Sequence, residues 1–194
     1  MANWASTAYA IEGPKETLEK IYEAIMYPDK SEGDEGWEGW VLKALGISWE
    51  DKGPDGKGLY MRGFIQDEPW FDGNTLRLCA EEAWGATDFN IALEKAFPNI
   101  KVFYSVEECD EEIYATNDKE GKYFPDRFYV DACFAGDYQM EYFTNEESMF
   151  RWIAKNTHGE VDTLDKVVEF NEFYEDEGSY DTNYINIHKF DIVE

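Results

Sequence analysis

An α+β fold is predicted for this 194-residue chain, and three observations predict it. Apolar residues recur with alternating strand spacing and with helical spacing in separate, short segments rather than in one long run. Those segments follow one another as strand, helix, strand, strand, helix, strand, with one extra helix after the first and a strand-rich remainder. Aromatic residues make up 17% of the chain and hydrophobic residues 43%, enough for a packed core despite the heavy acidic content.

The elements follow from local chemistry. Asn3 to Glu12 alternates as a strand and closes on Gly13-Pro14. Pro14 suits a helix start, and Leu18, Ile21, Tyr22 and Ile25 then recur at i, i+3, i+4 and i+7 up to Met26. Asp29 to Gly36 reads as a loop. Trp37, Trp40, Val41, Ala44 and Leu45 form a second apolar stripe, stopped by Gly46. Glu50 to Gly58 is the most loop-like stretch in the chain. Strands are expected over Leu59–Gln66 and Thr75–Trp84, joined by a turn around Pro69 and Asp72-Gly73-Asn74. A helix from Asp88 to Phe97 buries Phe89 and Leu93 and ends at Pro98, and a strand covers Ile100–Glu107.

This order matches the split βαβ unit of the ferredoxin-like fold over residues 1–108. Residues 109–194 form an acidic α+β extension, expected to pack with the first part as one body. Glu112–Asn117 reads as a strand, and Arg127–Phe134 with Asp137–Phe143 as a hairpin about Ala135-Gly136. Thr144 and Glu147 stand in capping-box relation before a helix to Asn156, which His158-Gly159 ends. Thr163 to about Glu175 is a helix burying Leu164, Val167, Val168, Asn171 or Phe170, and Tyr174. In the final strand, Tyr184–Val193, Ile185, Ile187 and Val193 alternate with Asn186, His188 and Ile192.

Charge narrows the function. Acidic residues number 43 against 17 basic, a formal charge of −26, of which −15 falls in residues 109–194. Such a surface repels phosphate backbones and anionic membranes and attracts basic proteins or cations, so direct nucleic-acid binding is disfavoured. Cys79, Cys109 and Cys133 are an odd, scattered set, which fits reduced thiols in a cytoplasmic protein. No signal-like leader and no long apolar run is evident, so no membrane association is expected.

Ala2-Asn3-Trp4 followed by Ser6 to Gly13, Ala83-Trp84-Gly85, the helix to Ala96-Phe97-Pro98 and the strand Val102 to Glu108 are short but ordered motifs. Together they resemble the plasmid- and phage-borne YubB-like family with a ferredoxin-like domain, over roughly residues 1–125. That family opens on Asn-Trp-Cys, and Ala5 stands here in place of the Cys. The resemblance implies a ferredoxin-like fold and a mobile-element setting. It brings no activity, since the family has none established.

Catalytic and cofactor signatures do not emerge. His158 and His188 are the two histidines, one at a helix end and one expected as a partly exposed strand residue. No nucleophile motif, clustered zinc ligands, P-loop or dinucleotide fingerprint stands beside them. The nearest calcium-loop match, Asp51 to Arg62, has Gly at the third position and Arg at the last, and fails. No cofactor is expected.

One feature stands out. Nine acidic residues and a single Lys lie between Glu160 and Asp181, and Asp162, Asp165, Glu169, Glu172 and Asp176 follow helical steps of three and four. With Glu175, Glu177 and Asp181 they form the candidate partner-binding face of a non-enzymatic protein whose partner is basic and itself binds nucleic acid. A second reading makes the protein a small-ligand binder or enzyme, with Trp4, Trp37, Trp40, Trp70, Trp84, Tyr104 and Tyr129 lining a pocket.

Overall fold

The computed structural model describes residues 3–28, 36–50, 52 and 56–193, with only the backbone of Gly36 and Trp37. Residues 29–35 of the loop expected from Asp29 to Gly36, and residues 51 and 53–55 of the one from Glu50 to Gly58, with the rejected calcium-loop residues Asp51, Gly53 and Asp55, lie outside the described residues. The chain is α+β and divides into two compact units, residues 1–119 with 193–194, and residues 120–192.

In the first unit, β1 (Trp4–Glu12) leads through α1 (Lys15–Met26) and α2 (Gly36–Ala44) to β2 (Gly63–Ile65). Then come β3 (Trp70–Asp72), β4 (Thr75–Ala83), α3 (Phe89–Ala96), β5 (Lys101–Glu108) and β6 (Ile113–Thr116). The strands lie in the order β6-β5-β1-β4-β2, with β3 also on β4, and the pairings within this unit are antiparallel. Alternation decides which face is buried. Tyr9 and Ile11 of β1, Leu76, Leu78 and Ala80 of β4 and Val102 of β5 turn into one core with Leu18 and Ile21 of α1, Leu42 of α2 and Phe89 and Leu93 of α3.

Two boundaries differ from expectation. The strand expected over Leu59–Gln66 is only three residues long. The turn around Pro69 contains β3, which makes a tight hairpin with β4 across Gly73 at φ +60°. The strand near Glu112–Asn117, assigned from sequence to the C-terminal extension, is β6 and pairs with β5, so it belongs to the first unit.

The second unit holds a three-stranded sheet, β8-β7-β9, built from β7 (Phe128–Phe134), β8 (Asp137–Phe143) and β9 (Tyr184–Lys189). Ala135 and Gly136, at φ +52° and +86°, close the β7–β8 hairpin in the left-handed region its strand twist favours. α4 (Glu146–Asn156) and α5 (Leu164–Asp176) supply Met149, Ile153 and Val167 to a core with Val130, Ala132, Phe143 and Ile185. The N-cap of α4 is Asn145, one residue beyond the expected Thr144, and its side chain accepts from the Ser148 N–H at 2.9 Å. His158 takes a left-handed conformation, φ +54°, just past the end of that helix.

Candidate functional site

The acidic face is carried by α5, and its presentation is set by one asparagine. The Asn171 amide donates to the Ile185 carbonyl at 2.8 Å and accepts from the Ile185 N–H at 2.9 Å, as a neighbouring strand would. This bracket, with Val167 buried and Phe170 and Tyr174 half-buried, fixes which side of α5 meets the sheet. The remaining circumference faces solvent. Leu164 and Val168, expected in the core, are therefore 54% and 55% exposed, and Phe173 is 58% exposed.

Among the expected site residues, Asp165, Glu169, Glu172, Glu175, Asp176, Glu177 and Asp181 are all exposed, and none forms an ion pair among the described residues. Asp162 departs from this pattern. It precedes the N-cap Thr163 rather than lying on the helix, and it binds the Lys166 ammonium at 2.6 Å. Asp165 sits in the first turn, where a carboxylate suits the helix dipole. Glu175 and Asp176 sit in the last turn, which has no basic residue, so their charge opposes it. The helix nevertheless ends cleanly. Gly178, φ +68°, lets its N–H reach the Glu175 carbonyl and the Ser179 N–H reach that of Tyr174. A shallow groove of about 270 Å³ runs along this helix, lined by Val161, Phe170, Phe173 and Tyr174 together with Glu160, Lys166 and Glu169.

The aromatic residues of the pocket reading are divided between the two units. Tyr129 belongs to the second unit and the others to the first. Trp4, Trp70 and Trp84 are about half exposed, at 46%, 49% and 47%, while Tyr104 packs against the core beside Tyr9. Trp4 lies edge-on to Phe64, and the Arg62 guanidinium stands 5.9 Å over the Trp84 ring. The side chain of Trp37 is outside the described residues.

The sequence reading missed two polar clusters. In the first unit, Glu38 of α2 and Glu82 of β4 are wholly buried, together with Tyr9 and Thr87. The Tyr9 hydroxyl donates to Glu82 Oε1 at 2.6 Å, and Thr87 Oγ1 lies 2.8 Å from both Glu82 Oε1 and Glu38 Oε2. A threonine hydroxyl has one hydrogen, so it cannot donate to both carboxyls. A proton on Glu38 resolves the geometry: Glu38 donates to Thr87, and Thr87 donates to Glu82. Burial, then the neighbouring Glu82 charge, push the Glu38 carboxyl well above its usual range, which keeps that proton in place. Burial and the same two carboxyls also raise the Tyr9 phenol. Space for the pair comes from Gly63, since a Cβ there would stand 2.5 Å from Glu38 Oε1 and 2.7 Å from Glu82 Cγ. Glu38 and Glu82 lie 44 positions apart, one in a helix and one in an apparently amphipathic strand, so no local pattern marked them.

In the second unit, His188 is buried at 8% exposure rather than partly exposed as expected. Its Nε2 lies 2.9 Å from Asp131 Oδ2, Asn186 donates to Asp131 Oδ1 at 3.1 Å, and its ring stacks on Tyr129. Burial, then Asp131, raise the adjacent Tyr184 phenol to about 12. The strand register explains the cluster, because Tyr129 faces His188, Asp131 faces Asn186 and Cys133 faces Tyr184. Cys133 lies opposite Tyr184, four register positions from His188, so the two do not form a thiol–imidazole pair. Among the described residues, no group of three or more metal-binding side chains occurs, and no helix is long and apolar enough to cross a membrane. Comparisons with protein-family models, curated proteins and solved structures find no match.

Proposed function

We propose that this is an acidic, non-enzymatic binding protein whose α5 face engages a basic protein partner. One observation carries the reading. Seven carboxylates of the 165–181 segment stand exposed without an ion-pair partner, interleaved with the exposed apolar side chains of Leu164, Val168 and Phe173. Like charges at helical spacing cost the helix a few tenths of a kcal/mol per pair, and solubility gives no use for apolar groups among the acids. A surface of this kind suits a partner with cations around an apolar patch: the carboxylates steer the encounter and the apolar groups hold it.

A nucleic-acid-binding protein fits that description, since its cationic surface is built for a regular row of negative charge. The strand order β5-β1-β4-β2, with helices between the first and second and the third and fourth of these strands in sequence, supports the ferredoxin-like split βαβ reading of the first unit. The resemblance to YubB-like proteins adds a mobile-element setting, in which engaging a host nucleic-acid enzyme would be useful.

The test is capture from lysate on the immobilised protein at low salt, followed by a salt gradient. A basic nucleic-acid-binding protein should elute as salt rises, and Asp165→Asn, Glu169→Gln, Glu172→Gln together should reduce its capture at least tenfold. Equal capture by that variant, or elution independent of salt, removes α5 from the function.

A further inference from the structure

The two edges of the second-unit sheet are treated differently. The β9 edge is closed at Ile185 by the two hydrogen bonds of Asn171. The β8 edge is open at Tyr138 and Met140. Tyr138 and Met140 have, among the described residues, no backbone hydrogen bond outside the β7–β8 hairpin. Seven residues is long for an edge strand, and β8 contains neither Pro nor Lys; its charged residues are Asp137 and Glu141.

The side chains on this edge are also unusual. Tyr138, Met140 and Tyr142 occupy alternate positions, hence one face, and are 53%, 57% and 43% exposed. Their register partners on β7 are Cys133, Asp131 and Tyr129, so they share the face opposite Val130 and Ala132, which pack on the helices. Asp137 and Glu141, also exposed, alternate with them. From Phe128 to Phe150 the chain has five acidic residues and no Lys or Arg. A strand added here therefore meets aromatic and thioether surface on one side and uncompensated carboxylates on the other.

We propose that β8 is a docking edge for an extended, basic segment of a partner protein, which adds to the sheet as a fourth strand. The partner's backbone pairs with β8, its apolar side chains lie over Tyr138, Met140 and Tyr142, and its Lys or Arg residues meet Asp137 and Glu141. The charge selects this occupant. A second copy of the chain would bring its own −26, and a single-stranded nucleic acid, which tyrosines could otherwise stack, would bring phosphates. This edge lies across the sheet from β9, where α5 docks through Asn171, so the inference stands or falls separately from the reading of α5.

The probe is a fluorescein-labelled seven-residue peptide of alternating Lys and Val, titrated with the full chain and followed by anisotropy. It should bind, and binding should weaken steeply with salt. The same peptide N-methylated at alternate residues on its pairing edge keeps the charge but cannot pair, and should bind at least tenfold more weakly. Met140→Lys should weaken the parent peptide at least tenfold, and Tyr138→Lys should do so independently; both sites are exposed, and far-ultraviolet circular dichroism confirms that each variant is folded. The Asp165, Glu169 and Glu172 triple variant should bind it like the parent chain. Equal affinity for the N-methylated peptide, no effect of either lysine substitution, tighter binding of a single-stranded oligonucleotide, or dimerisation through β8 in mass photometry would overturn the proposal.

Discussion

The two units answer the same problem, too many carboxylates, in opposite ways. The first buries four of them, Glu38, Glu82, Glu108 and Asp118, and brings Glu38 and Glu82 together in its core. Glu38, linked to Glu82 through Thr87, is held as a neutral acid by its burial, so it brings no charge of its own into the core. The second keeps the carboxylates of α5 outside, where Glu175 and Asp176 oppose the helix dipole and have no cation beside them. Burial therefore ties these acids of the first unit to fold stability, whereas exposure leaves those of α5 available to something else. A carboxylate that costs stability and gains no internal contact is better explained by an external one.

The sharpest way to break this contrast is to change pH. Glu38 holds its proton more tightly in the folded protein than in the unfolded chain, so the folded state binds more protons. Stability should then fall as pH rises from the usual carboxylate range toward the point where Glu38 ionises, at up to about 1.4 kcal/mol per pH unit. Glu38→Gln, whose amide can still donate to Thr87, should remove that slope in urea melts across pH. An unchanged slope would mean that Glu38 is not held as a neutral acid. A smaller effect is expected for Gly63→Ala, which drives a methyl group into Glu38 and should cost about 1–3 kcal/mol in chemical denaturation.

In the second unit, Asn171→Ala removes both bonds to Ile185 and should destabilise by about 1–2 kcal/mol, while hydrogen exchange at Ile185 accelerates. The smallest effect, and opposite in sign, belongs to Glu175→Lys with Asp176→Lys. Basic residues in the last turn of α5 should stabilise it by about 0.5–1 kcal/mol while weakening partner capture. Loss of stability in that double variant would show that these acids serve the fold.

Much of this architecture was legible because it is local. The spacing of Leu18, Ile21, Tyr22 and Ile25 gives α1, the Ala135-Gly136 turn gives the β7–β8 hairpin, and the charge run gives the exposed acids of α5. What escaped depends on distant partners. Asn171 reads as an ambiguous helix residue until β9 lies beside it, and that pairing leaves Leu164 and Val168 outside against their hydrophobic character. Asp131 and His188 lie 57 positions apart and meet only through the register of β7 and β9. Glu38 and Glu82 looked like two more surface acids in a chain full of them.

The amide of Val193 donates to the Thr116 carbonyl, so the chain leaves the first unit after Lys119 and returns to it at its end. Residues 120–192 are thus a long excursion whose closure carries an entropic penalty that grows with the logarithm of its effective length. Collapse of the excursion into its own sheet and helices shortens that effective length and eases the last contact. Amide exchange at Val193 should therefore report on the integrity of the second unit, and substitutions in the Met149–Ile153 core should quicken it before they disturb β1 or β4.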